Sequence, residues 1–289
     1  MEGVMSFVRG VIFQPPPSLL VSAMSVVGVV SLGNAGLSEL RGNHMKYSKF
    51  AAQPSASTSP SPSWSSLPSR TGMLVAYTPA FLAALSSLLL LHHGGDGASS
   101  SRLFLVESAL AVHFFKRVFE TLFVHKYSGT MAAGTAIPIS VSYFSVTALT
   151  IYTQILTQEA LLPEPAMDLR LYGVVLFLIG IAGNFYHHYL LSKLRSSGDD
   201  GKKKEYKIPK GGMFELVICP HYLFEILGFY GIALISQTLY SFCVAVGTSL
   251  YLMGRSKATR EWYLSKFDYF PPHVKALIPF VFWMINQCE

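Results

Sequence analysis

The amino-acid sequence predicts an all-α, polytopic membrane protein, a bundle of seven transmembrane helices. The first observation is composition: of 289 residues, 51% are hydrophobic and only 13% are charged, a balance typical of chains embedded in lipid. The second is a series of apolar windows of about 17 to 25 residues, the length that a helix needs to cross the hydrocarbon core. The third is an uneven distribution of Lys and Arg between successive loops.

Seven windows have the required length and apolar character. In chain order they are 18–37, 72–91, 103–125, 131–156, 169–191, 214–236 and 238–254. The third and the sixth contain ionisable residues, so we expect those faces to point into the bundle, because a charge facing lipid is costly. A shorter apolar piece at 274–285 cannot span, and we expect it to lie in the interface or to cap the bundle.

The basic residues assign the loops to the two sides of the membrane. Lys and Arg are concentrated in 38–71, in 192–213 and in the C-terminal tail, whereas 92–102 and 157–168 together contain only Arg102. Because short cytoplasmic loops retain positive charge, this predicts an N-terminus outside the cytosol and a C-terminus within it. The net charge of +6 then reflects topology and contact with anionic membrane lipids, and we expect no nucleic-acid partner.

One low-complexity stretch divides the chain. Residues 53–69 read QPSASTSPSPSWSSLPS and predict a flexible cytosolic linker, because Ser and Pro bury too little apolar surface to become ordered. We therefore expect an N-terminal region, 1–102, with two helices and this linker, and a second region, 103–289. The three scattered cysteines predict neither a disulfide framework nor a zinc site. Only His187 and His188 resemble part of a histidine box, so we expect no metal.

Polar residues inside the predicted spans are functional candidates, because they are expensive in lipid. At about 100° per residue they align on single helix faces near the cytosolic ends. They are Asn184, His188 and Arg195 in the fifth span, His113, Lys116, Arg117 and Glu120 in the third, and His221 and Glu225 in the sixth. Arg binds phosphate oxygens bidentately and Lys adds a point charge, so a phosphate-bearing ligand is the simplest interpretation. Taken singly, a loop Lys is an ordinary positive-inside anchor.

Several motifs together carry a resemblance to a known family. They are NFYHHYLLSKLR at 184–195, YKIPKGGMFELV at 206–217, PHYLFEI at 220–226 and WYLSKFDYFPPHVKALIPFVF at 262–282. This set resembles the C-terminal catalytic region of the steroid 5α-reductase family, which includes trans-2-enoyl-CoA reductases and polyprenol reductases. Upstream, HFFKRVFETLFVHKYSGTM at 113–131 is most similar to the enoyl-CoA reductase branch. The layout of the whole chain resembles a plant subgroup of the family.

The resemblance implies a seven-helix enzyme of the endoplasmic reticulum membrane with a cytosol-facing NADPH cavity. Such an enzyme reduces a carbon–carbon double bond conjugated to a carbonyl in a hydrophobic lipid, either a steroid or an enoyl thioester. The residues that the resemblance places at the cofactor are Arg117, Asn184, His188, Arg195, Tyr206, Lys207, His221, Glu225, Arg255 and Tyr263. These include Arg117, Asn184, His188, Arg195, His221 and Glu225, which helical spacing had already selected.

The sequence departs from the steroid enzymes at the substrate. Where those enzymes place a Glu and a Tyr to bind the substrate carbonyl, this sequence has Tyr77 and Phe114. His188 stands where they have an Asp. Hydride addition to an enone builds negative charge on the carbonyl oxygen, so a hydrogen-bond donor is still required there. We predict Tyr77 as this donor, since its phenol carries an O–H, with His113 as the second candidate.

Three functions remain open at the level of sequence. The first is a steroid 5α-reductase-like enzyme acting on a 3-oxo-Δ4 steroid. The second is a trans-2-enoyl-CoA reductase of very-long-chain fatty acid elongation, which the motif at 113–131 favours. The third is a non-catalytic scaffold or lipid carrier that has lost the Glu/Tyr pair. NADPH-dependent product formation distinguishes the enzymes from the scaffold.

Overall fold

Seven α-helices make up most of the chain that the computed structural model describes, namely residues 10–45, 47, 50, 66–92, 101–127, 129–196 and 206–279. The helices are α1 (Leu19–Leu40), α2 (Ser69–His92), α3 (Ser101–Phe119), α4 (Ala133–Glu159), α5 (Arg170–Ser196), α6 (Pro220–Ser236) and α7 (Leu239–Lys266). Each overlaps one of the seven windows, so the prediction of a helical protein is confirmed.

Four of these helices are long and apolar enough to cross a membrane: α1, α2, α4 and α5. Helix α6 has only 17 residues, and α3 and α7 contain clusters of charged side chains that lower their apolar character. A membrane protein is thus supported by length and composition, whereas the count of seven spans remains a prediction.

The start of α6 and the end of α7 differ clearly from the windows. The sixth window begins at 214, but Gly212–Glu215 forms a short 3₁₀ turn and α6 begins only at Pro220. Proline suits this first position because its missing N–H would have no partner there. The seventh window ends at 254, whereas α7 continues to Lys266. The apolar window ends before Arg255, the first charged residue of this helix. The helix continues because its polar C-terminal part still buries one face against the rest of the protein.

A two-stranded antiparallel sheet was not predicted. Strand β1 (Ser66–Pro68) pairs with β2 (Thr130–Ala132), the segment that leads into α4. The predicted flexible linker at 53–69 is therefore wrong for its last four residues, which form β1 and begin α2, while 53–65 lie outside the described residues. The Arg70 guanidinium donates a hydrogen bond to the carbonyl of Leu122 at 2.6 Å, which stabilises this junction.

Glycines allow close contact between helix backbones. A Cβ atom at Gly36 of α1 would lie 2.5 Å from the carbonyl oxygen of Leu250 in α7. A Cβ atom at Gly180 of α5 would lie 2.5 Å from the backbone nitrogen of Gly228 in α6. Small residues are the usual device for helix association in membranes, where lipid provides no hydrophobic drive between helices. These glycines bring α1 onto α7 and α5 onto α6.

Arg102 is a buried structural residue, although its position in the sequence indicated a loop. It lies near the start of α3, and its NH1 donates to the carbonyl of Ile235 and to Gln237 Oε1, both at 2.8 Å. Its NH2 donates to Glu164 at 2.6 Å. Gln237, in the left-handed conformation, donates in turn to the carbonyl of Met167. This end of the bundle is thus held by a network around one guanidinium.

Replacing Gly36 by Ala should destabilise the protein by about 1–3 kcal/mol, because the added methyl group overpacks the contact with α7. Thermal unfolding of the full chain in detergent measures the effect. Gly28→Ala in the same helix is the matched control, since nothing lies within 4 Å of its added Cβ. Equal melting temperatures for the two variants would contradict a close α1–α7 contact.

Candidate active site

Helix α3 ends in a π-helical turn, Glu120–Val124, in which the backbone N–H of His125 donates to the carbonyl of Glu120 at 2.7 Å. Wide turns of this kind are rare and occur preferentially at functional sites. The turn begins at Glu120, whose side chain is completely buried. The unusual turn therefore marks this buried carboxylate as a candidate functional group.

Glu120 is the centre of a buried cluster of charged groups. Its Oε1 lies 2.9 Å from the Lys116 ammonium and 3.0 Å from His188 Nδ1. Its Oε2 lies 3.6 Å from NH1 of Arg117. A buried carboxylate is tolerated only when cations or hydrogen-bond donors compensate for its lost hydration. Glu120 therefore joins α3 to α5 through His188.

Asn184 extends the cluster to α6. The Lys116 ammonium donates to Asn184 Oδ1, and Asn184 Nδ2 donates to the carbonyl of His221 at 2.7 Å and approaches Glu225 Oε2 at 3.5 Å. Because a lysine can only donate, the amide must present its oxygen to Lys116 and its nitrogen to α6. One asparagine side chain thus connects three helices.

Arg117 connects the same cluster to α2. Its NH2 donates to the hydroxyl of Tyr77, and its guanidinium carbon lies 4.6 Å from the centre of the Tyr77 ring. Its NH1 lies 4.0 Å from Glu225 Oε2. The ring of Tyr143 packs against Tyr77 with a centroid distance of 5.5 Å. The predicted donor Tyr77 is therefore held by the predicted cofactor residue Arg117.

Besides Nε of Arg102 at the other end of α3, three side chains of α3 and of the π-helical turn that follows it have buried polar atoms without a hydrogen-bond partner among the described residues. The atoms are both ring nitrogens of His113, Nε of Arg117 and Oε2 of Glu120. At about 100° per residue these side chains fall within roughly 60° of one another on the helix. Buried polar atoms are nearly always satisfied in native proteins, so unsatisfied ones on a single face indicate where a ligand or water binds.

Six of the predicted site residues converge in the cluster. They are Tyr77, Arg117, Asn184, His188, His221 and Glu225. His113 lies one turn earlier on α3. Its ring packs edge-on against Phe114 and lies 5.0 Å from the ring of Phe229. Lys116 and Glu120 share the cluster; helical spacing had placed both on this face, although the resemblance assigned them no role.

Other predicted cofactor residues lie around the C-terminal part of α7. The ring of Tyr206 packs against Trp262 at a centroid distance of 4.7 Å, and Tyr263 stacks on Phe267 at 5.7 Å. Lys207 is exposed beside Tyr206. Arg195 lies in the last turn of α5, and its side chain is outside the described part of the chain. The role of these residues in cofactor binding remains a prediction.

Arg255 is buried in an ion pair that was not predicted. Its NH1 lies 2.7 Å from Glu39 Oε1, at the end of α1. Its guanidinium also packs over the rings of Tyr47 and Phe50, at 4.3 and 4.2 Å, while Glu39 Oε2 lies 2.8 Å from His44. The sequence signal for Glu39 is weak, since it is simply an acid that ends the first apolar helix.

The two adjacent histidines of α5 have different roles. Nε2 of His187 accepts the backbone N–H of Met213 at 3.1 Å, so its Nδ1 carries the proton that is donated to the carbonyl of Gly183 at 2.7 Å. Its ring stacks on Phe224. His187 therefore fixes the segment before α6, whereas His188 enters the cluster. The sequence motif alone does not distinguish them.

One group in the described chain has the composition of a metal site. The ligand atoms of Glu120, His125 and His188 all lie within 4.8 Å of one another, and two histidines with a carboxylate form a familiar metal-binding set. However, the Lys116 ammonium already binds this carboxylate at 2.9 Å and the Arg117 guanidinium lies at 3.6 Å. A divalent cation would face both positive charges, so this arrangement suits neutralisation by basic side chains.

The fold and the cluster together define a helical membrane protein with a buried site of phenolic, basic and acidic side chains. Residues 135–282, more than half of the chain, match the sequence profile of the 3-oxo-5-alpha-steroid 4-dehydrogenase family. The chain belongs to this family, and the resemblance in its motifs is confirmed.

Similar proteins come from two branches of the family. The chain is 33% identical over 190 residues to a very-long-chain enoyl-CoA reductase of Dictyostelium discoideum, covering 64% of this chain and 61% of that protein. It is 41% identical over 111 residues to the steroid 5-alpha-reductase DET2 of Gossypium hirsutum, with 38% and 42% covered. It is 41% identical over 112 residues to human 3-oxo-5-alpha-steroid 4-dehydrogenase 1, with 39% and 42% covered. The match thus spans less than two thirds of each relative.

The Glu39–Arg255 pair predicts a stability phenotype. Glu39→Gln or Arg255→Gln should each lower the free energy of unfolding by about 3–5 kcal/mol, because each leaves a buried partner uncompensated. The double substitution should cost less than the sum of the two. Thermal unfolding of the purified full chain measures all three.

Lys257→Gln is the matched control on the same helix. Its ammonium lies 3.7 Å from Glu261 in an exposed pair, for which we expect a change below about 1 kcal/mol. If Arg255→Gln left stability unchanged and altered only the binding of a ligand, the structural assignment would be wrong.

Proposed function

We propose that this protein is a membrane-embedded NADPH-dependent oxidoreductase that reduces a carbon–carbon double bond conjugated to a carbonyl in a hydrophobic lipid. The observation that carries the proposal is the contact between Arg117 and the Tyr77 hydroxyl inside a buried polar cluster. Family membership and relatives named as reductases support it. The main form of the proposal is a steroid 5α-reductase-like enzyme.

The contact with Arg117 determines how the Tyr77 hydroxyl can use its own proton. Because an N–H of Arg117 donates to the Tyr77 oxygen, the phenolic O–H of Tyr77 remains available to donate elsewhere. The neighbouring positive charge also draws electron density from the phenol and strengthens it as a donor. A carbonyl oxygen that gains negative charge during reduction is the kind of acceptor that such a donor stabilises.

The cluster fits NADPH through its unsatisfied atoms and its mixed charge. When bound, NADPH supplies the hydride that adds to the β-carbon of the lipid. The residues of this chain that would hold it are Arg117, Asn184, His188, His221 and Glu225 in the cluster, with Arg195, Tyr206, Lys207 and Tyr263 toward the C-terminal part. Arg255 would act on the cofactor only through the segment that it holds against α7, since its guanidinium pairs with Glu39.

The setting of this site follows from the same proposal. We place the protein in the endoplasmic reticulum membrane with seven spans, a cytosolic C-terminus and its cofactor cavity open to the cytosol. The seven described helices and the basic segments support this arrangement. Residues 1–102 then form an N-terminal pair of helices with the linker, and 103–289 form the catalytic region.

A trans-2-enoyl-CoA reductase is the second candidate, and two observations favour it. Glu120 pairs directly with His188 at 3.0 Å, and Glu120 belongs to the motif at 113–131, which resembles the enoyl-CoA branch. The match to the enoyl-CoA reductase also covers more of this chain than the match to either steroid enzyme. A non-catalytic scaffold or lipid carrier is the outcome if neither substrate is reduced.

Tyr77→Phe should lower turnover by about 100-fold or more, the usual loss when a donor to a developing oxyanion is removed. The measurement uses microsomes with NADPH and, in parallel, a 3-oxo-Δ4 steroid and a long trans-2-enoyl-CoA, with a two-hydrogen mass gain as the product signal. The substrate that is reduced selects the branch.

Tyr152→Phe is the matched control, because this tyrosine of α4 is exposed on the helix surface. Full turnover by Tyr77→Phe would remove Tyr77 as the donor and leave His113 as the candidate. Absence of product from both substrates in the unaltered protein would favour the scaffold.

Asn184→Ala should raise the KM for NADPH by about tenfold or more, since it removes a hydrogen-bond partner of a buried ammonium group. Arg195→Ala should act in the same direction by removing a phosphate contact. Initial rates at varied NADPH concentration give both values, with Ser192→Ala on α5 as control. Unchanged KM in both variants would be incompatible with a cofactor site at the end of α5.

A further inference from the structure

The face of α3 with unsatisfied polar atoms includes a residue that the proposed function leaves without a role. Oε1 of Glu120 is committed to Lys116 and His188, whereas Oε2 has no hydrogen-bond partner within the described chain. The side chain is completely buried. A fixed, buried acceptor with spare capacity costs free energy unless a ligand or water satisfies it.

The neighbours of this oxygen restrict what it can bind. NH1 of Arg117 lies 3.6 Å from Oε2 and Nε2 of His125 lies 4.0 Å from it, both beyond hydrogen-bond distance, so an acceptor and a guanidinium donor point into the same space. An anionic group would be repelled by the carboxylate, and a cation would be repelled by Lys116 and Arg117. A hydroxyl group could serve either partner, whereas a primary amide offers a donor NH₂ and an acceptor carbonyl on one carbon atom. A neutral primary carboxamide matches both partners at once.

We propose that Glu120 and Arg117 form the subsite for the nicotinamide carboxamide of the cofactor. Glu120 Oε2 accepts a hydrogen bond from the amide NH₂, and Arg117 donates to the amide carbonyl. This inference rests on the proposed function and adds Glu120 to the binding residues. Lys116 and His188 hold the carboxylate in position, so little side-chain freedom is lost when the ligand binds.

The subsite also explains why one arginine contacts several elements. Arg117 donates to the Tyr77 hydroxyl through NH2 and faces Glu120 and Glu225 through NH1. A ligand that pairs with Glu120 and Arg117 therefore fixes the same guanidinium that orients the donor phenol. Cofactor seating and the orientation of Tyr77 are coupled through one side chain.

The test compares two oxidised dinucleotides that differ only at this group. The full chain in detergent is titrated with NADP⁺ and with its 3-acetylpyridine analogue, in which a methyl group replaces the amide NH₂, and binding is followed by calorimetry. The unaltered protein should bind the analogue about tenfold or more weakly, because Glu120 then loses its donor. The thionicotinamide analogue, which keeps the NH₂, should retain the Glu120 contact and bind more tightly than the acetylpyridine analogue.

Glu120→Gln and Glu107→Gln form a matched pair of variants on α3. Both carboxylates are completely buried, but Glu107 pairs with Ser87 at 2.5 Å, away from the cluster. In Glu120→Gln the amide oxygen is drawn to Lys116, so an NH₂ faces the ligand and the ratio of the two dissociation constants should fall to near one. Glu107→Gln should keep the ratio of the unaltered protein.

Each result decides the inference. Equal binding of NADP⁺ and the acetylpyridine analogue by the unaltered protein would overturn it, and this comparison needs no variant to fold. A preserved ratio in Glu120→Gln would also overturn it, while leaving the proposed function intact. No binding of any dinucleotide would overturn both the inference and the proposed function.

Discussion

The pairing of Glu120 with basic side chains is the constraint on which the candidate site depends. A carboxylate inside a membrane bundle is stable only with nearby cations and donors, and these come from α3 itself and from α5. Lys116 then extends to Asn184, and Arg117 to Tyr77. Removing the carboxylate would leave two neighbouring cations without their common partner. The positions of four helices are therefore linked to one charge.

The same rule operates at other levels of the structure. Arg102 pairs with Glu164 and donates a hydrogen bond to the carbonyl of Ile235. Arg255 pairs with Glu39. In each case a buried guanidinium on one helix meets partners from a segment distant in sequence. Glycine contacts bring the helices close. The buried ion pairs determine which loops and helix ends pack against these helices. Packing and charge pairing thus define the bundle together.

Helix positions followed well from the sequence, because apolar length is a local property that lipid imposes directly. The stripe of Asn184 and His188 was also predictable, since helical periodicity places both on one face. The partner of Arg255 was not, because an ion pair between α1 and α7 depends on tertiary contact. Strand β1 was missed for the same reason: the Ser/Pro composition favours disorder, and only pairing with β2 orders the Ser66–Pro68 segment.

The acid that contacts His188 of α5 comes from a different helix. The steroid enzymes that the motifs resemble have an Asp where this chain has His188, which would leave α5 without its carboxylate. In this structure Glu120 of α3 supplies the carboxylate and contacts His188 at 3.0 Å. An acid thus lies beside this position of α5 although α5 itself carries a histidine there. The acceptor that projects from this end of α3 lies beside Arg117, which in turn donates to the Tyr77 hydroxyl. Under the proposed function, this arrangement would keep the pairing of Arg117 with Tyr77 while the acidic group beside it comes from a different helix.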